Sequence, residues 1–370
     1  MFSVMLFISV TILIYSILII FLLSARIKQD NISSDNKKTC TDHISVIIPF
    51  RNEEQNLLSI IDALKKQTFK SAEYLLINDK STDFGPEICN AAITGLPQFK
   101  LLHLPDNMGG KKAAIHYGVL QSKYNIIVQT DADCIPQPDW LLNYSQAFLK
   151  PNTSLVIAPV IAQSTANGSF FQKMVALEFL SLTGVTIASA VLKSPLLCNG
   201  ANMGYLKNIY MAYFKNGYNK TVSGDDMFLL MYAKNRKYNI AIITNKQGTV
   251  STQLPENTFT FLNQRKRWTS KSLHTNNLEI LSVSVLVFIS NILIPVALFL
   301  TLQNGLLLIP VVIKYMVDFL FLLKYSVFYN QGYLLKYYPI WIIIYPFYVL
   351  LATAGGILGS FTWKNRSNTV

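Results

Sequence analysis

Residues 124–133 read YNIIVQTDAD, an apolar, partly β-branched run that ends in two carboxylates. A short apolar run bounded by turn residues is typical of a buried strand. Similar runs occur at 44–50 (ISVIIPF), 73–79 (EYLLIND) and 99–104 (FKLLHL), and segments of helical periodicity separate them. Strands that alternate with helices over short connections favour a mostly parallel sheet with helices on both faces. The sequence therefore predicts an α/β fold.

The segments between these runs predict helices. Residues 52–67 (NEEQNLLSIIDALKKQ) place their apolar side chains on one helical face, and Asn52 and Gln55 have the spacing of a capping pair. Residues 81–92 and 111–121 also favour helices, whereas 155–160 and 239–244 could add strands.

Long apolar segments flank this α/β pattern. Residues 2–23 are long enough to cross a bilayer, which needs about 20 apolar residues, and Arg26 and Lys28 follow them directly. The positive-inside rule then places the C-terminal end of this anchor in the cytosol. Three further apolar stretches, at 280–302, 305–323 and 338–358, predict about three C-terminal spans. The apolar helix at 170–192 fits either a buried core helix or one lying against the membrane.

These segments predict an integral membrane protein with a cytosolic α/β domain, expected in the inner membrane of a bacterial cell. The predicted divisions are an anchor at 1–25, a linker at 26–42, the cytosolic domain at 43–275 and a membrane region at 276–370. Within the second C-terminal stretch, Lys314 and Asp318 lie four residues apart and could pair on one helix face.

Composition narrows the class of partner. The chain has 370 residues, 51% of them hydrophobic and 14% charged, with a net charge of +12. A basic domain beside a membrane suits anionic head groups or a phosphate-bearing ligand. Nucleic acid is not expected, because Lys and Arg are scattered among acids and form no stripe. The four cysteines are far apart and contain no CxxC pair, which argues against a zinc site or a disulfide framework.

Asp131 and Asp133 lie at the end of the YNIIVQTDAD segment. Two carboxylates in one turn can both face a divalent cation, which prefers oxygen ligands. A pair of this kind is also common in ordinary surface turns, but its position after a buried strand favours the metal interpretation. Asp79 ends another strand, where it fits either an Asx turn or helix cap, or a hydrogen bond to a nucleoside.

Three further motifs leave alternatives open. Residues 107–115 (NMGGKKAAI) begin a helix, with two glycines before Lys111. This start could bind an anion or could simply be solvated. The segment lacks the pattern of a Walker loop. Asp225 and Asp226 precede an apolar helical run and could be N-capping or catalytic residues. Residues 199–202 (NGAN) form a tight polar turn that could lie near an acceptor.

In their order along the chain, these motifs resemble the family 2 glycosyltransferases of GT-A fold, over about residues 43–275. The matching residues are Pro49-Phe50-Arg51-Asn52-Glu53, Asp79, Gly110-Lys111, Asp131-Ala132-Asp133, Asn199-Gly200-Ala201-Asn202, Asp225-Asp226 and Gln264-Arg265-Lys266-Arg267-Trp268. Two positions depart from the family pattern: Arg51 stands where Tyr is usual, and Asp225 stands where Glu is usual.

The resemblance implies a donor site for a nucleotide-diphosphate sugar, with a UDP-sugar as the expected form. It implies contacts to the nucleotide sugar from Pro49, Glu53, Asp79, Lys111, Asp131 and Arg267. Asp133, with Asp131, would hold Mg²⁺ or Mn²⁺. Asp226 would be the catalytic base beside Asp225, and the acceptor site would include Asn199, Gly200, Gln264 and Trp268.

Residues 263–271 (NQRKRWTSK) allow two interpretations. Arg265, Lys266 and Lys271 suit cations at a membrane edge. Gln264, Arg267 and Trp268 share one helix face by their spacing, which by the resemblance would close the active site.

The predicted function is an inverting transfer of a sugar to a lipid or lipid-linked acceptor at the cytosolic membrane face. The alternatives are a processive polysaccharide synthase and a catalytically inactive GT-A-like membrane partner.

Overall fold

A computed structural model describes residues 2–27, 43–163, 168–217, 224–273, 277–358, 361–363 and 366–368. Most of the predicted linker at 26–42 lies outside these residues. The chain divides into two compact units. The helical unit comprises Met1–Arg26, Ser164–Leu192 and Leu254–Val370, and the α/β unit comprises Ile27–Gln163 and Lys193–Gln253. These units divide the chain differently from the predicted domains, whose boundaries remain a prediction.

The secondary structure follows the apolar runs of the sequence. The strands are β1 (Ile44–Phe50), β2 (Ala72–Asn78), β3 (Phe99–His103), β4 (Ile126–Gln129), β5 (Cys134–Pro136), β6 (Thr153–Ile157), β7 (Val160–Ala162), β8 (Met203–Leu206), β9 (Asn239–Ile242), β10 (Val250–Thr252), β11 (Phe361–Trp363) and β12 (Arg366–Asn368). The helices are α1 (Phe2–Leu23), α2 (Leu57–Lys65), α3 (Gly85–Ile93), α4 (Lys111–Gln121), α5 (Trp140–Phe148), α6 (Phe170–Val191), α7 (Lys207–Gly217), α8 (Asp225–Asn235), α9 (Thr258–Leu273), α10 (Leu278–Leu300), α11 (Leu308–Phe328) and α12 (Tyr338–Leu358).

A seven-stranded sheet forms the centre of the α/β unit, in the order β3-β2-β1-β4-β8-β6-β9. The first four strands in this order are parallel, and β8 runs antiparallel to both of its neighbours. Every residue of β1 and β2 is buried, as expected for central strands covered on both faces. The predicted mostly parallel α/β fold is confirmed, and the carboxyl ends of β1, β2 and β4 lie along one edge of the sheet.

A smaller sheet, in the order β5-β10-β7, adjoins the end of β4. The chain leaves β4, turns through Asp131 and Asp133 and enters β5, where Cys134 pairs with Thr252 of β10. The carboxylates predicted from YNIIVQTDAD therefore lie in the turn that connects the two sheets.

The predicted capping pair of Asn52 and Gln55 is wrong. Helix α2 begins at Leu57, and its N-cap residue Asn56 makes no side-chain capping bond. Asn52 instead has a positive φ of 52°, and its side-chain oxygen accepts a hydrogen bond of 2.8 Å from the Thr82 backbone N–H. Asn tolerates this left-handed conformation, so the residue joins two loops instead of starting a helix.

The helical unit contains five helical segments that are long and apolar enough to cross a membrane, among the residues that the structure describes: Phe2–Leu23, Phe170–Val191, Leu278–Leu300, Gly305–Phe328 and Gly332–Gly356. The N-terminal anchor and three C-terminal stretches predicted from the sequence are all among these candidates. The apolar window of α6 is 78% buried, which favours a core position for this helix over an exposed one.

Helix α1 packs within the helical unit through one apolar face. Met5, Ile8 and Ile12 lie in a buried cluster with Ile294 of α10 and Val311 of α11. Beside this cluster is the predicted pair of Lys314 and Asp318, with an N–O distance of 2.8 Å, and Tyr15 of α1 donates a hydrogen bond of 2.9 Å to the same carboxylate.

Candidate active site

Asp79 connects the end of β2 to the glycine loop that precedes α4. Both of its carboxylate oxygens accept the Gly110 backbone N–H at 3.0 Å, and the side chain is only 2% exposed. Gly110 has a φ of 93°, which L-residues with side chains rarely adopt. Asp79 therefore holds the loop through a main-chain contact instead of capping the nearby helix α3, whose N-cap is Phe84.

Two loops at the carboxyl ends of β1 and β2 bind each other. The Glu54 backbone N–H donates to Asp83 at 2.9 Å, and the Phe84 backbone N–H donates to Glu54 at 3.1 Å. Pro49 pairs with Ile77 within the sheet, while Glu53 follows β1 and accepts a hydrogen bond of 2.6 Å from Asn56. The residues that are predicted to contact the nucleotide from this region, Pro49 and Glu53, thus lie at a hydrogen-bonded edge of the sheet.

Lys111, in the first turn of α4, contacts the turn after β4. Its ammonium lies 2.5 Å from a carboxylate oxygen of Asp131, and both side chains are about one-third exposed. Burial raises the pKa of Asp133 to about 6, and repulsion from Asp131 and Glu53 adds to the shift. Three carboxylates therefore lie close enough to repel one another beside one partly exposed lysine.

These carboxylates fit a divalent cation that shares its coordination shell with a substrate. Within the described residues, no group of three or more His, Cys, Asp or Glu side chains is arranged to hold a metal ion. Mg²⁺ commonly binds through one or two carboxylates together with substrate phosphates. Asp131 and Asp133 match this pattern, and the repulsion at Asp133 is of the kind that a bound cation relieves.

Lys112 reaches a different motif from its neighbour Lys111. Its ammonium lies 3.1 Å from Asp225 at the start of α8, and the lysine is 7% exposed. The alternative of a solvated helix start is therefore wrong for Lys112, whereas the side chain of Lys111 is about one-third exposed. N-capping by Asp225 is also wrong, because Gly224 occupies the N-cap position and makes no side-chain capping bond.

Asp226 connects α8 to the NGAN turn. One of its oxygens accepts the Gly200 backbone N–H at 3.1 Å, and the other accepts the Met227 N–H at 2.9 Å. Gln129, at the end of β4, donates to the Gly200 carbonyl at 2.8 Å. Gly200 is thus fixed from both sides, and a Cβ placed there would lie 3.0 Å from the Gln129 amide nitrogen.

The turn contains a structural residue that its sequence motif alone does not indicate. Asn202 is fully buried and accepts hydrogen bonds from Trp140 and Tyr144 at 2.7 and 2.9 Å, while its amide donates to the Pro159 and Gly248 carbonyls. Asn199 uses its side chain to accept the Ala201 N–H within the turn itself. A polar side chain next to an apolar strand residue, Val128 for Gln129 and Met203 for Asn202, was the available signal.

Gln264, Arg267 and Trp268 lie on α9 in the helical unit, so their predicted roles at the sugar-transfer site stay predictions. The membrane-edge interpretation of Arg265 is wrong. Arg265 is 2% exposed and binds both carboxylate oxygens of Glu178 on α6, with one contact at 2.9 Å. Its guanidinium also lies 4.1 Å from the Trp268 ring centroid. A buried arginine can stack on an aromatic face in this way while a carboxylate balances its charge.

Residues 45–214 match the family described as "Glycosyl transferase family 2". The glycosyltransferase GlyG of Streptococcus pneumoniae serotype 4 is 28% identical over 35% of this chain and 42% of its own length. The dolichyl-phosphate beta-glucosyltransferase ALG5C of Trichomonas vaginalis is 30% identical over 25% of this chain and 29% of its own length. The chain thus spans less than half the length of each of these curated relatives.

A solved structure of similar fold is the mannosyltransferase PcManGT from Pyrobaculum calidifontis, in complex with GDP-Man and Mn²⁺. It superposes with a TM-score of 0.60 at 15% identity, over 94% of this chain and 95% of its own. The sheet topology and the family match over residues 45–214 agree. Residues 45–214 of the chain therefore form a domain of glycosyl transferase family 2.

Proposed function

We propose that the chain transfers a sugar from a nucleotide-diphosphate sugar to an acceptor hydroxyl. The observation that carries this proposal is the convergence of five motifs in the α/β unit, through four contacts. Gly110 is bound to Asp79, Lys111 to Asp131, Lys112 to Asp225, and Gly200 to Asp226. In open α/β sheets, ligands bind beyond the carboxyl ends of the strands, where these contacts lie.

The donor site is assigned to the β1, β2 and β4 ends. Asp79 and Glu53 are proposed to contact the nucleoside, and the Gly110–Lys111 turn and Asp131 the ribose and diphosphate. A bound Mg²⁺ or Mn²⁺ at Asp133 and Asp131 would supply Lewis-acid stabilisation of the diphosphate leaving group. Lys111 already lies at Asp131, and its ammonium would neutralise part of the charge that develops on the phosphates.

Transfer is assigned to Asp226. Its carboxylate would take the proton of the acceptor hydroxyl while that oxygen attacks the anomeric carbon and the bond to the diphosphate breaks. Attack from the face opposite the leaving group inverts the anomeric configuration. The Gly200 and Met227 N–H groups each bind one oxygen of Asp226, and these two contacts fix the carboxylate.

A lipid or lipid-linked acceptor is proposed because the described residues of the chain contain five candidate spans besides the α/β unit. One matched relative is named for a dolichyl-phosphate acceptor, which also favours a lipid. The reaction is then assigned to the cytosolic face, where nucleotide sugars would be available. Processive polysaccharide synthesis remains the alternative acceptor chemistry.

The test uses the purified full chain in lipid nanodiscs with UDP- and GDP-sugars, a lipid extract and either Mn²⁺ or a chelator. Mass analysis should show one sugar added to a lipid, from one donor, with Mn²⁺ and without chelator. Asp226→Asn should abolish transfer but keep donor binding, whereas Asp106→Asn, at an exposed loop residue, should behave as wild type. Polymeric products would favour processive polysaccharide synthesis. If none of the nucleotide sugars is turned over, the chain would be an inactive partner protein.

A further inference from the structure

Two lysines of the helical unit converge on one tyrosine. Lys173 of α6 and Lys336 of the 3-10 helix Gly332–Tyr337 place their ammonium groups 5.6 and 5.2 Å from the Tyr337 ring centroid. The Phe170 ring packs edge-on against the same tyrosine at 5.7 Å. We call Lys173, Lys336 and Tyr337 the lysine–tyrosine cluster.

Among the described residues, no carboxylate forms an ion pair with this cluster. Three lysines are buried among all the residues that the structure describes: Lys112, Lys173 and Lys314. Lys112 pairs with Asp225, and Lys314 pairs with Asp318. Lys173 is 9% exposed, and its described contacts are with a neutral phenol. A buried ammonium without a counter-charge is costly, so a second cation beside it favours an anionic ligand.

The cluster lies at the end of the helical unit where two candidate spans finish. Lys324 of α11 donates to the Leu23 carbonyl at the end of α1 at 2.8 Å, so both helices end together. Residues 329–331 connect α11 to the 3-10 helix that carries Lys336 and Tyr337. Lys and Tyr side chains at the ends of membrane spans lie at the depth of lipid head groups.

We infer that the lysine–tyrosine cluster binds the phosphate group of a membrane lipid. The anion must match two ammonium groups and a phenol hydroxyl, and phosphate oxygens accept hydrogen bonds from all three. A lipid is the expected source, because the cluster lies where α1 and α11 leave the apolar segment. The site does not depend on the sugar-transfer reaction, and its lipid need not be the acceptor.

The experiment uses the full chain in phosphatidylcholine nanodiscs that contain a photo-crosslinking phosphatidic acid at a few mole per cent. Peptide mapping should place the crosslink on residues 168–180 or 330–340. Lys173→Gln and Lys336→Gln should each lower that crosslink several-fold, whereas Lys173→Arg should keep most of it. Lys150→Gln, at an exposed lysine of the α/β unit, controls for the loss of one positive charge.

Three outcomes would overturn the inference. One is an unchanged crosslink in both Gln variants, and a second is an equal loss in Lys150→Gln, which would mean general attraction to a basic protein. The third is complete competition by millimolar inorganic phosphate, which would identify a free-phosphate site instead of a lipid site. Thermal unfolding of each variant is measured in parallel. Loss of the crosslink supports the lipid-phosphate site where the variant keeps the wild-type unfolding midpoint or where Lys173→Arg restores binding.

Discussion

Lys112 and Asp225 form an ion pair of 3.1 Å between side chains that are 8% and 15% exposed. The pair joins the first turn of α4 to the first turn of α8, so two motifs that are far apart in sequence meet inside the α/β unit. Because each charge is largely withdrawn from water, each depends on the other. The contact also explains how Asp can occupy the position where the family usually has Glu: the lysine reaches the shorter side chain.

Lys112→Gln should strongly destabilise the α/β unit. Removal of one partner from a buried ion pair typically costs about 3–5 kcal/mol, because the other charge stays buried. Denaturant unfolding followed by a probe in the α/β unit measures the loss. The matched control is Lys65→Gln, which removes an exposed pair with Asp62 at 3.5 Å and should cost about 0–1 kcal/mol. Equal effects of the two substitutions would show that Lys112 and Asp225 are not coupled.

Gly200→Ala should lower transfer activity about 10- to 100-fold, a typical result of small displacements at a reacting centre. The new Cβ would lie 3.0 Å from the Gln129 amide nitrogen and 3.4 Å from Cβ of Asp226, so the turn or the proposed base must move. Steady-state kinetics should show a loss in kcat with a smaller change in donor KM. Gly305→Ala is the control, since a Cβ there has no neighbour within 4 Å. Wild-type kcat in Gly200→Ala would contradict the role of this turn.

The sequence predicted β1 to β4, the helices between them and the long apolar helices, because apolar periodicity is local. It could not give the partners of the charged residues, which depend on how distant loops meet. Lys111 and Lys112 are neighbours in sequence, yet one contacts Asp131 and the other Asp225. Arg265 looked like a membrane-edge cation because its partner Glu178 lies on another helix, within a segment that reads as apolar.

Asp133→Asn should weaken Mn²⁺ binding by more than tenfold in the presence of donor nucleotide. The substitution removes a charged oxygen ligand and leaves Asp131, which Lys111 already contacts. Mn²⁺ titration followed by electron paramagnetic resonance measures the affinity directly and does not need turnover. Asp106→Asn, on an exposed loop, should leave the affinity unchanged. Unchanged Mn²⁺ affinity in Asp133→Asn would remove this residue from the metal site.

Glu178→Gln should destabilise the packing of α9 on α6 by about 3–5 kcal/mol, because it leaves the buried Arg265 guanidinium without its counter-charge. Tyr348 also donates to Glu178 at 3.1 Å, so a third helix loses a contact. The double variant Glu178→Leu with Arg265→Met should recover much of the loss, since it removes both charges and keeps side-chain volume. Additive losses in the double variant, measured by thermal unfolding in detergent, would show that the two residues are not coupled.

The contribution of His116 to the stability of the α/β unit should be lost as the pH falls below about 6.5, the usual pKa of histidine, while Asp133, whose pKa is raised to about 6, acts in the opposite direction. Burial lowers the pKa of His116, whose ring stacks on Phe214 at a centroid distance of 3.5 Å. The unfolded chain therefore takes up a proton at a higher pH than the folded chain, and protonation favours unfolding in the window between the two pKa values. The change in unfolding free energy from pH 7.5 to pH 5.5 should be less unfavourable in His116→Phe than in wild type, because the ring stack is retained without a group that titrates in this way. Tyr117→Phe on the same helix should keep the wild-type pH dependence. An identical pH dependence in His116→Phe would assign the effect to other groups.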